Sequence, residues 1–166
     1  MTTDLIKRSL LFIAFVLAQV VVLGRIHLFG CATPLLYVWM VILFPRNYPK
    51  SGILLWSFML GLVIDTFFNT PGVAAASLTL IAIMQPYFFE LFVPRDSVDN
   101  LEPSVANIGL LKYATYVSVI VVVYCMVFFL LEMFSMADPL QWIACVVGSA
   151  ALTLAFIFTF EIVRSR

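Results

Sequence analysis

The residue types best able to do chemistry in this chain are few, and one of them stands in an unusual place. Asp65 lies within GLVIDTFFNTPG, residues 61–72, a carboxylate inside an otherwise apolar segment of membrane-spanning length. An ionised acid left in lipid costs on the order of 2 to 3 kcal/mol, so Asp65 must face protein or water, or hold a proton. Three roles suit it, the simplest first: a helix-positioning hydrogen bond or ion pair, a contact with another subunit, and a proton or small-molecule site. Glu90, Glu132 and Glu161 lie near the ends of apolar runs. A long acid there reaches the headgroups and pairs with basic neighbours, which is a simpler account than a proton relay. Cys31, Cys125 and Cys145 form no CxxC and no cluster with the single histidine, His27. They read as small apolar fillers rather than metal ligands. The sequence contains no Gly-rich phosphate loop, HExxH or GxSxG pattern. This inventory points away from an enzyme and implies neither a metal nor a cofactor.

Composition fixes the kind of element that must position these residues. The chain is 64% hydrophobic and 11% charged over 166 residues, where an ordinary globular domain is about half apolar and about a quarter charged. At roughly 20 residues per helical crossing, about five or six crossings fit and no separate soluble domain does, so 1–166 is expected to be a single integral membrane domain. Transmembrane strands alternate apolar and polar residues, whereas runs such as Tyr116 to Leu131 are apolar on every face. Helices are the expectation. The formal net charge is zero, which argues for neither nucleic acid nor an anionic partner.

The positions of the charges give a topology. Spans are predicted near 9–25, 28–44, 51–69, 73–93, 113–135 and 140–162, an all-α bundle of six transmembrane helices. With both termini cytoplasmic, eight of the nine basic residues fall inside and Arg25 alone falls outside, as the positive-inside rule prefers. The second span is short, because Pro34 and Pro45 leave only about eleven residues of uninterrupted helix, roughly 17 Å. A full crossing there requires Thr33 to cap the helix, Pro34 to open it, and residues 28–31 to enter in a less regular form buried against protein. Lys7 and Arg8 followed by an apolar run resemble a signal peptide, but Arg25 and His27 interrupt the required continuity, so the segment reads as an uncleaved signal anchor.

On this topology Asp65 lies about 21 Å up a helix that begins at the inner face, in the outer third of the membrane. Arg25 and His27 are the cations on that side, which makes Arg25 the candidate ion-pair partner of Asp65. Asn69, four residues on, shares its helical face. Gly61, one turn before Asp65, allows another helix to approach closely beside the acid. Thr70-Pro71-Gly72 supplies a tight external turn in which Thr70 suits an N-cap and Pro71 a first helical position. Gly61, Asp65, Asn69, Pro71 and Gly72 therefore form the candidate set for helix packing or partner contact. Small residues recur at Ala74, Ala75, Ala76 and Ser77, and again at Ala144 and Gly148, with Cys145, Ser149 and Thr153 beside them. Both groups suit close packing, and packing within the bundle is the simpler reading of each. The polar stretch 94–112 is a cytoplasmic connection with room for a short helix opened by Ser104 or for a docked partner.

An N-terminal anchor and a Pro-led short second span precede Gly61-Leu62-Val63-Ile64-Asp65. Asn69-Thr70-Pro71-Gly72, Ala74-Ala75-Ala76, Pro86 and Pro94-Arg95-Asp96 follow. This pattern resembles the rod shape-determining MreD family in its Bacteroidetes-like form. Length and hydropathy agree over the whole chain, and the specific part covers about residues 52–96, where Gly61, Asp65, Pro71 and Gly72 match the family's recurrent motif. The resemblance implies a non-catalytic inner-membrane component of the elongation machinery for peptidoglycan. Such proteins associate with the bitopic protein MreC, and through it with a SEDS glycosyltransferase, a penicillin-binding transpeptidase and the MreB filament. The family is also similar in fold to the six-helix substrate-binding components of energy-coupling-factor vitamin transporters, which sets the alternative. A vitamin site needs polar groups converging on a deep external pocket, and the outer half offers little besides Asp65, Gln19 and Asn69.

Overall fold

The apolar runs form helices, and among the described residues of this computed structural model, 2–22, 33–93, 101–132 and 139–164, there is no strand. In chain order they are α1 (Thr2–Leu17), which continues into a π-helical turn (Ala18–Val22), α2 (Val38–Ile42), α3 (Lys50–Phe68), α4 (Val73–Phe92), α5 (Val105–Ile108), α6 (Leu110–Glu132) and α7 (Pro139–Arg164). Four of them, α3, α4, α6 and α7, are long and apolar enough to cross a membrane, the arrangement of a multi-pass membrane protein. The 19 residues of α3 reach about 28 Å, close to the thickness of a hydrocarbon core.

These helices pack in sequence order: α3 lies against α4, α4 against α6 and α6 against α7, while α1 lies along α3. The buried positions of α6, Tyr113, Tyr116, Val117, Ile120, Val121, Tyr124, Cys125, Phe128 and Phe129, alternate spacings of three and one. That spacing lays one continuous stripe along the helix. On α7 the stripe falls at every fourth residue, through Cys145, Ser149, Thr153, Ile157 and Glu161. Ala144 is exposed, so the Cys145 stripe is the one that faces inward. Large apolar side chains such as Phe67, Leu91, Leu111 and Val147 point outward, as a lipid-facing belt requires.

The segment predicted as the second span differs most from expectation. Its described part contains a helix of only five residues, α2, whose N-cap is Tyr37 rather than Thr33, and residues 23–32 lie outside the described set. Every residue from Pro34 to Ile42 is buried. Pro34 does not open a helix, and the Leu35 and Leu36 amides and the Pro34 carbonyl are met by side chains of other helices, which satisfies this buried, irregular backbone.

The connection assigned to 94–112 is shorter than predicted, since α6 already begins at Leu110. Within it Ser104 is the N-cap of α5, which ends at Gly109 with a φ of 89°.

Candidate functional site

Asp65 sits one turn from the end of α3 and is 5% exposed. Its backbone carbonyl accepts from the amide of Asn69, the helix C-cap, and from the amide of Thr70 at 3.2 Å. This is the Schellman closure, in which a left-handed residue lets the chain fold back onto the last carbonyls. Asn69 is that residue, with φ 56°, the sole non-glycine with positive φ among the described residues, and asparagine tolerates that region better than most. The Asp65 carboxylate then reaches forward. Oδ1 accepts from the Thr70 hydroxyl and from the Ala74 amide, each at 2.9 Å, and Oδ2 accepts from the Ala75 amide at 2.9 Å. Ala74 and Ala75 occupy the first turn of α4, whose amides have no partner within their own helix. Asp65 therefore closes the C-terminus of one helix and caps the N-terminus of the next, with its carboxyl oxygens against the positive end of the α4 dipole.

That geometry corrects the reading of the turn. Thr70 is not the N-cap of α4, and Pro71 is not its first residue. Gly72 is the N-cap, in the left-handed region at φ 85°, with no side-chain cap of its own. The capping oxygen comes from Asp65 and the Thr70 hydroxyl is turned back onto it. Asn69, Pro71 and Gly72 are exposed, forming the outer surface of the turn. Arg25 lies outside the described residues.

Gly61 explains how the carboxylate gets close enough. A Cβ built on Gly61 would lie 2.3 Å from the Ala75 Cα and 2.6 Å from the Ala75 nitrogen, so α3 and α4 meet backbone to backbone one turn below Asp65. A contact this close needs a small residue on both sides, glycine on α3 and alanine on α4.

A second polar cluster holds α2 and the segment before it. The Gln19 amide group donates to the Pro34 carbonyl at 2.9 Å and accepts from the Leu36 amide at 3.2 Å. It lies in the π-helical turn, a local widening that often accompanies a specialised contact. From the opposite side the Ser149 and Thr153 hydroxyls of α7 accept from the Thr33 and Leu35 amides, both at 3.0 Å. Further down, the hydroxyls of Tyr37 and Tyr124 bond to each other. Gln85 donates to the Phe44 carbonyl and to the Tyr116 hydroxyl.

Glu161 lies in the last turn of α7, as expected of a boundary acid, but its side chain turns inward. It is 1% exposed and accepts from the Val105 amide at 3.2 Å and from the Tyr113 hydroxyl at 3.3 Å. Tyr113 in turn accepts from the Trp39 indole at 3.2 Å. Its expected basic neighbour, Arg164, lies 4.0 Å away, while the closer partner of Arg164 is Glu102 at 3.1 Å. Cys125 and Cys145 are both buried. Sequence reasoning missed Gln19, Ser149 and Thr153 as a set; the signal available was a run of polar residues at depths where lipid-facing side chains are apolar.

Two cavities open at opposite ends of the bundle. One, of about 170 Å³, lies near the Thr70 turn and is lined by Gln19, Thr33, Tyr37, Thr70 and Glu132 among others. The other, of about 360 Å³, lies at the end bearing Arg8 and Arg164. Comparison of the chain with protein-family models, with curated proteins and with solved structures finds no match.

Proposed function

We propose that this chain is a non-catalytic, six-span scaffold of the cell inner membrane, of the MreD kind. Its task is to hold an MreC-like bitopic protein and, through it, the transglycosylase, transpeptidase and filament of the cell-elongation machinery. The observation that carries this reading is the engagement of Asp65. The acid and the glycine behind the family resemblance are occupied in fastening α3 to α4, leaving the motif an architectural role. A fastened hairpin is what a docking surface requires, since a partner helix binds a rigid face more tightly than one it must first order. The outward stripe Leu55, Phe58, Met59 and Leu62 of α3, each at least 40% exposed, has the i, i+3, i+4, i+7 spacing of a helix-docking face. In the six-span arrangement the end bearing Lys50, Lys112 and Arg164 is cytoplasmic and the Thr70 turn is external, and the largely buried, irregular residues 33–44 belong to the second crossing.

The vitamin-transporter reading asks more of the external end. The cavity there, about 170 Å³, is smaller than the roughly 300 Å³ at which small-molecule sites begin. Purification in mild detergent tests both readings. An MreC-like protein should copurify, and photocrosslinkers at Phe58 or Leu62 should capture its membrane helix more often than one at Val147 on α7. A vitamin retained through purification, without such a partner, would overturn the scaffold reading.

A further inference from the structure

The larger cavity holds a charge arrangement that the scaffold role does not use. Its floor is α2 and its C-cap, through Trp39, Met40 and Leu43, and one wall is the face of α1 bearing Arg8, Leu11 and Phe15, which the i, i+3, i+7 spacing aligns. Arg164 and Glu102 close the far side. The Arg8 guanidinium lies over the rings of Tyr48 and Phe44, 4.1 and 4.6 Å from their centroids, and its Nε is buried with no hydrogen-bond partner. Ring faces hold a guanidinium in place without using its N–H donors, and here the Nε–H is left without an acceptor. Arg164 is paired with Glu102, whose side chain is 56% exposed, and its other nitrogen lies 4.0 Å from Glu161. Glu161 does not line the cavity and is also engaged by the Val105 amide and Tyr113. Among the described residues the lining thus carries two guanidiniums and one half-exposed carboxylate, over an apolar floor.

We propose that this cavity binds an anionic phospholipid, its phosphodiester held by Arg8 and Arg164 and its glycerol backbone and first methylenes lying against Leu11, Phe15 and Met40. Guanidinium matches a phosphate oxygen pair in shape as well as charge. The lipid, rather than free phosphate, follows from the surroundings. Leu10, two residues from Arg8, and Val163, next to Arg164, are 70% and 68% exposed, so outward apolar surface begins within two residues of each arginine. A site for a soluble anion needs no apolar floor. The volume of about 360 Å³ accommodates a headgroup and the start of its chains, leaving the tails in the bilayer.

Trp39 in the cavity floor provides a local probe. The full chain with Trp56→Phe and Trp142→Phe, reconstituted in nanodiscs, keeps one indole, and its fluorescence is read as chain-brominated phosphatidylglycerol or phosphatidylcholine replaces unlabelled phosphatidylcholine. Phosphatidylglycerol is expected to quench at about tenfold lower mole fraction, the scale of one charge-assisted contact pair. Arg8→Gln should remove most of that preference. Glu102→Gln, which removes the closer partner of Arg164 without touching the bundle core, should increase it, and this variant decides the matter if Arg8→Gln does not fold. Equal quenching by the two lipids, an unchanged preference in Arg8→Gln, or a fall in Glu102→Gln would each overturn the proposal. Displacement of phosphatidylglycerol by millimolar inorganic phosphate would overturn it too, by marking a site for a soluble anion.

Discussion

At the scale of single residues, Asp65 and Gly61 are two halves of one device, and their substitutions are expected to fail in different ways. Asp65→Asn keeps a carbonyl oxygen for one of the α4 amides and should cost about 1 kcal/mol, as weakened caps do. Asp65→Leu strands the Thr70 hydroxyl and two buried amides and should cost about 3 kcal/mol or more. Reversible unfolding of the detergent-solubilised protein by an ionic denaturing detergent measures both, and a leucine variant as stable as the parent would refute the capping role. Gly61→Ala introduces a methyl where the Ala75 backbone already lies. The helices must part, at about 1 to 3 kcal/mol for a small overpacking change. The same unfolding measurement should place it between the two Asp65 variants, and full stability would show that α3 and α4 do not meet so closely.

At the scale of elements, α2 is the part that depends most on its neighbours. A five-residue helix is too short to persist by its own hydrogen bonds, so its position is set by side chains on helices to either side. Gln19→Leu leaves the Pro34 carbonyl and the Leu36 amide without partners and should cost about 2 kcal/mol or more. A thiol assay reads the consequence directly. In a Cys31→Ser, Cys125→Ala background, the buried Cys145 of α7 should react with a membrane-permeant maleimide faster when Gln19→Leu is added. Equal rates would mean that α2 and α7 do not rely on this contact. The contrast between α2 and the long helices also explains what could be read in advance. The four long helices were legible to within about three residues at most ends, because an apolar run of the right length has few alternatives. The form of residues 33–44 was not, because a bundle interior and a lipid phase select the same apolar side chains. Hydropathy cannot tell a buried segment from a spanning one. The partners of Asp65 escaped for a similar reason: they are main-chain amides, and every residue type except proline carries one.

At the scale of the whole molecule, the six-span arrangement makes a prediction about sides. A reporter fused after Lys50 should give a cytoplasmic signal, and one fused after Gly72 an external signal, because α3 separates them. An external signal at Lys50 would overturn the arrangement. The described basic residues Arg8, Arg46, Lys50, Lys112 and Arg164 mark one end of the bundle, since Lys50 begins α3, Lys112 lies in the first turn of α6 and Arg164 ends α7. The positive-inside preference and the lipid proposal thus bear on the same end of the molecule. That clustering was visible in the sequence once the spans were drawn. The cavity between Arg8 and Arg164 was not, because it joins residues from the two ends of the chain.

The two polar fastenings also differ in when they can close. Asp65 and its amide partners lie nine and ten residues apart, so the α3–α4 hairpin has all its bonds as soon as that stretch has left the ribosome. The contacts of Thr33 and Leu35 with Ser149 and Thr153 span 116 and 118 residues. Until α7 is made, the Thr33 and Leu35 amides lack the hydroxyls that receive them, and those unpaired amides mark the chain as unfinished. A chain truncated before Ser149 should therefore retain a formed hairpin and an unfastened second segment, a state that quality-control proteases can distinguish from the complete protein.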